Sequence, residues 1–543
     1  MPEARLFSSN QRVEILEQME KTPFDLLVVG GGITGSGIAL DAATRGFKVG
    51  LIEKNDFASG TSSRSGKLIH GGLKYLKQGD LALVKEVGRE RAIVHENARH
   101  LVIPIQMLFP IVKNGSFNKF TLKIGLSVYD RLAGVKKEER HFMLSKKEVF
   151  AQEPLINRDT VKGGGMYIEY RTDDSRLTLE VAKTAFEHGA LISNYAEMVE
   201  FLQDENGQAI GVVVLDHASQ RTFKLYAKFI VNAGGPWVDK IRRMEGELQG
   251  KRLHLTKGIH IVVPFERFPV KESIYYDVKG RMIAVVPRDG CTYIGSTEND
   301  YLGSLDDIRV SQSEVDYLLD CVNLMFPSVE LKQADIISTW AGLRPLIHEE
   351  GKAAGHLSRK DEIFISESGL ITIAGGKLTG YRKMAERVVN LVQRKGGFPA
   401  VPSKTETVKL TGGRFDNGEQ LKQCIGSIAR DRRYPGMDAE TASDLVFKYG
   451  SNAGKVLDYL EDMDTKSLIA AEVRFCIEQE MAMKLSDFFL RRTGRLLFKR
   501  KDIPALLEAA ASEFARVLGW DGEQAQKEKV QFNEEYAHAL QFI

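Results

Sequence analysis

The segment "FDLLVVGGGITGSGIALDAATRGFKVGLIEK", residues 24–54, leaves the chain few ways to fold. Leu26 to Val29 form a short apolar run, the pattern of a parallel strand buried on both faces. Gly30, Gly32 and Gly35 follow with G-x-G-x-x-G spacing. Ile38 to Ala43 continue as a helix, which Gly46 ends. Lys48 to Ile52 read as a second strand leading into Glu53. Gly30 permits the tight strand-to-helix turn, Gly32 lets backbone approach a pyrophosphate, and Gly35 lets helix and strand pack closely. The helix N-terminus offers free N–H groups to phosphate. Glu53, 18 residues beyond Gly35, suits the hydrogen bonds of a ribose diol. Strand, helix, second strand and acid in register predict a dinucleotide site, without separating NAD from FAD.

A chain of 543 residues leaves room for two to four structural units. Its 75 basic and 73 acidic residues nearly cancel, which removes the general basic field that nucleic-acid binding needs. Cys291, Cys321, Cys424 and Cys476 are scattered and form no CxxC pair. This argues against a zinc ribbon or disulfide framework and predicts no metal site. The mixed charged N-terminus is unlike a signal peptide, and a reducing cytoplasmic setting fits. The longest oily stretch, "LVIPIQMLFPIV" at 101–112, is interrupted by two prolines and reads as a buried strand pair rather than a membrane span.

Two further glycine turns lie downstream. "KFIVNAGGPWVDKI", 228–241, reads as strand, turn and helix start, placing Gly234 at the carboxyl end of a parallel strand, where ligands bind in open α/β sheets. "GLITIAGGKLTGYRKMAERVV", 369–389, repeats the pattern with Gly375 and Gly376 in the turn and a helix from about Leu378. Basic residues there oppose the helix dipole, a conflict more readily tolerated where an anion binds.

Together with "TSSRSGKLIHGGLKYL" (61–76), "KGIHIVVP" (257–264), "IGSTENDY" (294–301) and "WAGLRPL" (340–346), these motifs occur in order across the chain. The pattern resembles the FAD-dependent glycerol-3-phosphate dehydrogenase family, within the D-amino-acid-oxidase-like flavoproteins. The resemblance implies an α/β fold: a Rossmann-like FAD-binding domain with an inserted antiparallel, β-rich substrate domain, then a C-terminal all-α domain. The FAD parts would be about 22–100, 165–250 and 335–398, and the substrate parts about 101–164 and 251–334. Residues 399–543 would be helical, with Asp502 capping a helix and Met481, Phe488 and Phe489 in its core.

The family's activity is oxidation of sn-glycerol 3-phosphate to dihydroxyacetone phosphate with FAD, electrons passing to membrane quinone. By resemblance, His70, Lys74 and Tyr75 lie near flavin and substrate, as do Arg344, Lys377 and Thr379. Arg344, Lys377 and Lys74 would anchor phosphate and hydroxyl, since basic side chains hold a dianion best. The base is His70, or Arg344 acting through water; chemistry favours histidine because a free arginine stays protonated. Thr61, Ser62 and Ser63 would bond the FAD pyrophosphate and ribityl region, Lys67 and Leu68 would flank the ring, and Met198 would meet the adenine. The Gly376 turn would stabilise charge at the ring's edge. The family usually reads arginine–tyrosine after "HGGL"; here Lys74 keeps the charge but loses the bidentate fork.

Quinone reduction without an apolar span implies peripheral membrane contact. Residues 117–137, with Phe117, Phe120, Ile124 and Lys119, Lys123, Lys136 and Lys137, suit a basic amphipathic helix on an anionic membrane, or a helix packed into the substrate domain. Two rival activities share the flavin chemistry: a glycerol-3-phosphate oxidase delivering electrons to oxygen, and a related amine or amino-acid oxidase. Nothing in the sequence sets the oligomeric state, so a homo-oligomer stays open.

Overall fold

The computed structural model describes residues 6–71, 81–113, 115–132, 134–135, 137–246, 248, 250–348, 361–463 and 466–543. Two sheets organise the first 400 residues. The first is built on Phe24–Val29, whose Leu26, Leu27 and Val28 are wholly buried. It pairs in parallel with Val49–Ile52 on one side and Thr222–Asn232 on the other. Leu191–Ser193 and Ile371–Gly375 extend the parallel order outward, and Asp361–Ile365 closes one edge antiparallel. The helices Ile33–Thr44, Asp174–Glu187 and Tyr381–Lys395 pack on one another beside it. Burial of both faces accounts for the unbroken apolar strands. The carboxyl ends of its central strands open at Gly30, Glu53, Ala233 and Gly376.

The second sheet has ten strands and is largely antiparallel. Its hairpin Arg281–Arg288 to Cys291–Gly295 turns at Asp289 and Gly290, both with positive φ, as the type I′ geometry of a two-residue loop demands. This sheet reaches beyond the expected substrate parts. Val161–Arg171 pairs along nearly its full length with Ile103–Val112, and Ser338–Ile347 pairs with Leu253–Val262. The boundaries expected at 165 and 335 therefore do not follow the sheets: one cuts a strand and the other assigns a whole strand to the wrong layer. Residues 101–112 hold one strand, not a pair. Its prolines are accommodated because the second neighbour, Ser273–Val278, ladders with it only at Met107 and Leu108.

Residues beyond 399 are helical from Gly418 onward. Phe488 and Phe489 are fully buried in that layer's core, whereas Met481 is buried in the core of the first sheet. Asp502 stands at the start of Ile503–Leu518, but its side chain makes no capping bond. The layer is fastened to the first sheet by buried charge. Asp56 accepts hydrogen bonds from Arg491 Nε at 2.6 Å and Arg492 Nη1 at 2.7 Å. Arg176 forks onto Glu480 at 2.6 and 2.9 Å. Among the described residues, no helix is long and apolar enough to cross a membrane. All four cysteines are free thiols.

Candidate active site

A cavity of about 420 Å³ opens at the carboxyl edge of the first sheet and runs to the second. Its floor is the glycine motif. The helix Ile33–Thr44 begins at Gly32 with no side-chain cap from its own N-cap residue. Ser62 supplies one from a distance: its hydroxyl accepts the Ile33 N–H at 3.0 Å. Gly35 does not line the cavity. It serves packing, since a Cβ there would lie 1.9 Å from the Gly30 carbonyl oxygen. Glu53 lines the cavity and accepts the Gly31 N–H at 2.7 Å and the Asn55 N–H at 2.9 Å. Burial nevertheless raises its carboxyl above the ordinary range.

Gly30, Gly32, Thr61, Leu68, Met198 and Gly234 also face this cavity, as does Gly376 from the third glycine turn. Thr61 donates to the Leu343 carbonyl at 2.7 Å, tying the loop to the second sheet. Gly376 has φ +82°, a left-handed conformation that favours glycine. Two residues expected at the cofactor do not line the cavity. Ser63 is buried outside the cavity. Lys67 is buried away from it, its ammonium paired with Asp174 Oδ1 at 2.6 Å and donating to the Ser63 carbonyl at 3.0 Å. A buried ammonium needs a carboxylate partner, and Asp174 claims it.

The opposite wall gathers His70, Arg344, Lys377 and Thr379. Arg344 lies on Ser338–Ile347, next to Gly258. Its guanidinium donates to Ser296 Oγ at 2.7 Å and to the Thr297 carbonyl at 3.2 Å. A Cβ on Gly258 would come within 2.5 Å of Arg344 Nη2, so glycine leaves the arginine its berth. Thr379 uses its hydroxyl on the backbone of His70, accepting its N–H at 3.2 Å and donating to its carbonyl at 3.3 Å. It therefore holds His70, a role the resemblance did not suggest. Lys74 and Tyr75 lie outside the described residues.

Of the cavity residues that escaped the sequence reading, two carry ionisable groups deep in the wall. His260, inside "KGIHIVVP", stacks on Trp340 with centroids 4.6 Å apart. Burial, reinforced by Arg344 and Lys67, pushes its imidazole down to about 3, so it is neutral at pH 7. Glu169 lines the cavity from Val161–Arg171 and is almost fully buried. Its signal was one acid inside the otherwise uncharged "GMYIEY".

A glycine-cradled dinucleotide cleft facing a basic, histidine-bearing wall defines an FAD-dependent oxidoreductase, and residues 25–382 match the family described as FAD dependent oxidoreductase. Residues 403–525 match the C-terminal domain of alpha-glycerophosphate oxidase. The chain is 47% identical over 539 residues to the aerobic glycerol-3-phosphate dehydrogenase of Bacillus subtilis, covering 97% of each. It is 45% identical over 528 residues to the Staphylococcus aureus enzyme of the same name, covering 95% of each. The solved glycerol-3-phosphate dehydrogenase from Bacillus halodurans, complexed with FAD, aligns with a TM-score of 0.85 at 40% identity over 99% of each chain. The chain belongs to the aerobic glycerol-3-phosphate dehydrogenase family of these flavoproteins.

Proposed function

We propose that this chain oxidises sn-glycerol 3-phosphate to dihydroxyacetone phosphate and passes the electrons to membrane quinone. The observation that carries the reading is the convergence of His70, Arg344 and Lys377 on one cavity with the glycine cradle. Bound FAD supplies the hydride acceptor. Arg344, held by Ser296 and Thr297, presents a fixed fork to the phosphate, and Lys377 adds a second cation. His70 takes the hydroxyl proton, because imidazole titrates near neutrality and arginine does not. Thr379 keeps the His70 backbone in place. Thr61, Ser62 and Glu53 bind the cofactor's polar groups, with Met198 at its adenine end. Anaerobic mixing of the yellow holoenzyme with glycerol 3-phosphate should bleach the flavin; an unchanged spectrum would overturn the assignment. Arg344→Ala should raise KM for the substrate at least about tenfold, from loss of a charge-assisted contact. An unchanged KM would remove Arg344 from the phosphate site.

The match of residues 403–525 to a glycerophosphate oxidase domain supports a second reading, with oxygen as acceptor. Oxygen consumption without added quinone distinguishes the two.

The membrane contact falls to the helix Lys119–Leu132. Leu122, Leu126 and Tyr129 bury one face, so the helix is packed in the substrate domain, and Phe117 just before it is half-buried against Phe109. The opposite face leaves Phe120 71% and Ile124 47% exposed, beside exposed Lys119 and Lys123. Apolar side chains flanked by lysines suit an anionic lipid surface. The protein should float with liposomes containing anionic lipid and be released by Lys119→Glu/Lys123→Glu. Flotation unaffected by that pair of changes would remove this helix as the contact.

A further inference from the structure

His70 stands just past the two-residue strand Leu68–Ile69, on backbone with no regular hydrogen-bond ladder of its own. Its placement depends on outside partners. Thr379 holds the His70 end of the His70–Gly71 dipeptide. The Gly71 end is held by a buried cluster of Tyr129, Arg91 and Glu169. Tyr129 accepts the Gly71 N–H at 3.1 Å and an Arg91 guanidinium N–H at 2.7 Å, and donates to Glu169 Oε1 at 2.7 Å. A phenol has one donor and two acceptor positions, so all three are used. Burial holds this phenol well above its ordinary range, which keeps the donor proton in place. Arg91 reaches Glu169 Oε2 at 3.0 Å and the Ile168 carbonyl at 2.9 Å. Glu169 Oε2 lies 3.4 Å from the Gly71 nitrogen.

Shape agrees with polarity. A Cβ at residue 71 would lie 2.3 Å from the Tyr129 hydroxyl oxygen and 2.5 Å from its ring. The first glycine of "HGG" is thus required by the tyrosine pressed against it. Buried ion pairs are poor sources of net stability, so the cluster is better explained by the geometry it enforces. Neither Tyr129 nor Arg91 lines the cavity, so neither can touch substrate from where it stands.

We propose that Tyr129, backed by Arg91 and Glu169, is a positioning residue that sets His70 against the substrate through the Gly71 amide; this rests on the role given to His70 in the proposed reaction. Tyr129→Phe keeps the ring against Gly71 and removes only the hydroxyl. The limiting rate of flavin bleaching should fall about tenfold or more, as misplaced reacting groups do. KM should stay within about twofold, since Arg344 is untouched, and bound FAD should match wild type. Hydrogen exchange of the peptide carrying His70 and Gly71 should accelerate. In a His70→Ala background the same change should add little further loss, because residues acting as one unit are not additive. An unchanged rate with unchanged exchange, or a fully additive loss, would overturn the inference. Exchange is read without substrate, so it judges the clamp even if wild type leaves glycerol 3-phosphate unoxidised, a result that would sink the reaction instead. If Tyr129→Phe fails to fold, Arg91→Lys, which keeps the charge and does not line the cavity, is read by the same measurements.

Discussion

Asp56→Ala is expected to lower the stability of the folded protein by about 3–5 kcal/mol, the cost of leaving buried charges without their counter-ion. Asp56 is wholly buried and receives Arg491 Nε at 2.6 Å, Arg492 at 2.7 and 2.8 Å, and the Asn194 amide at 3.1 Å. Truncation strips Arg492 of the carboxylate it holds at 2.7 and 2.8 Å and leaves it Glu480 at 3.8 Å. Arg491 would keep Asp487. The effect also has a pH signature. Burial pushes the Asp56 carboxyl up, but Arg492 and Arg491 outweigh it and hold it below its ordinary 3.8. A depressed folded pKa contributes stability that is fully present above the unfolded value and lost as pH falls through the folded one. Wild type should therefore weaken below about pH 4, and Asp56→Ala should weaken less steeply there. Urea unfolding at pH 7 and along an acid series measures both. A loss under about 1 kcal/mol at pH 7 would mean that the arginines find other partners.

Gly35→Ala should damage the fold by a different route. Its Cβ would stand 1.9 Å from the Gly30 carbonyl oxygen and 3.3 Å from Val28. The closer obstacle is backbone, pinned in a strand end between two parallel neighbours, so no rotamer change relieves it. Overpacking against a mobile side chain costs about 1–3 kcal/mol, and a rigid obstacle puts this case at or beyond that range. The purified variant should be colourless or insoluble. Gly32→Ala makes the useful contrast. Its Cβ would meet only Ser62 Oγ, at 3.2 Å, so the apoprotein should fold and the defect should appear in FAD retention. A yellow Gly35→Ala protein with wild-type melting behaviour would refute the packing role.

The difference between these two glycines was legible in the sequence because G-x-G-x-x-G assigns its roles by local spacing. The second sheet was less so. Whether "WAGLRPL" belongs to one sheet or the other is decided by Arg344 pairing with Thr256, a partner 88 residues earlier, and no local pattern reports that. Lys67 shows the same limit at the site. Lying in a glycine- and serine-rich stretch beside the cofactor motif, it looked like a ligand, yet its carboxylate is Asp174, 107 residues away. Ser62, expected to meet the cofactor, lines the cavity, and its cap on Ile33 depends on a loop closing 29 residues of chain. His260 sat in plain view in a quoted motif; what sets it apart is its stacking on Trp340, which only the folded chain supplies.

The helical layer beyond residue 399 has a mechanical meaning that chain order hides. It grips the first sheet through Asp56 and Arg176 and the second through the Phe498 and Leu497 carbonyls, which accept Cys291 Sγ–H and the Ser338 hydroxyl. The loop carrying Asp56 is the one whose Ala58 N–H bonds the Gly31 carbonyl at 3.1 Å, inside the glycine motif. Covalently the layer is an appendix; physically it is the shared wall of both sheets. A chain cut near 398 would expose that wall, leaving Asp56 without its arginines and Arg176 without Glu480. The molecule should therefore melt as one cooperative unit, and the flavin's retention should serve as a gauge of helices that, among the described residues, do not line its cavity.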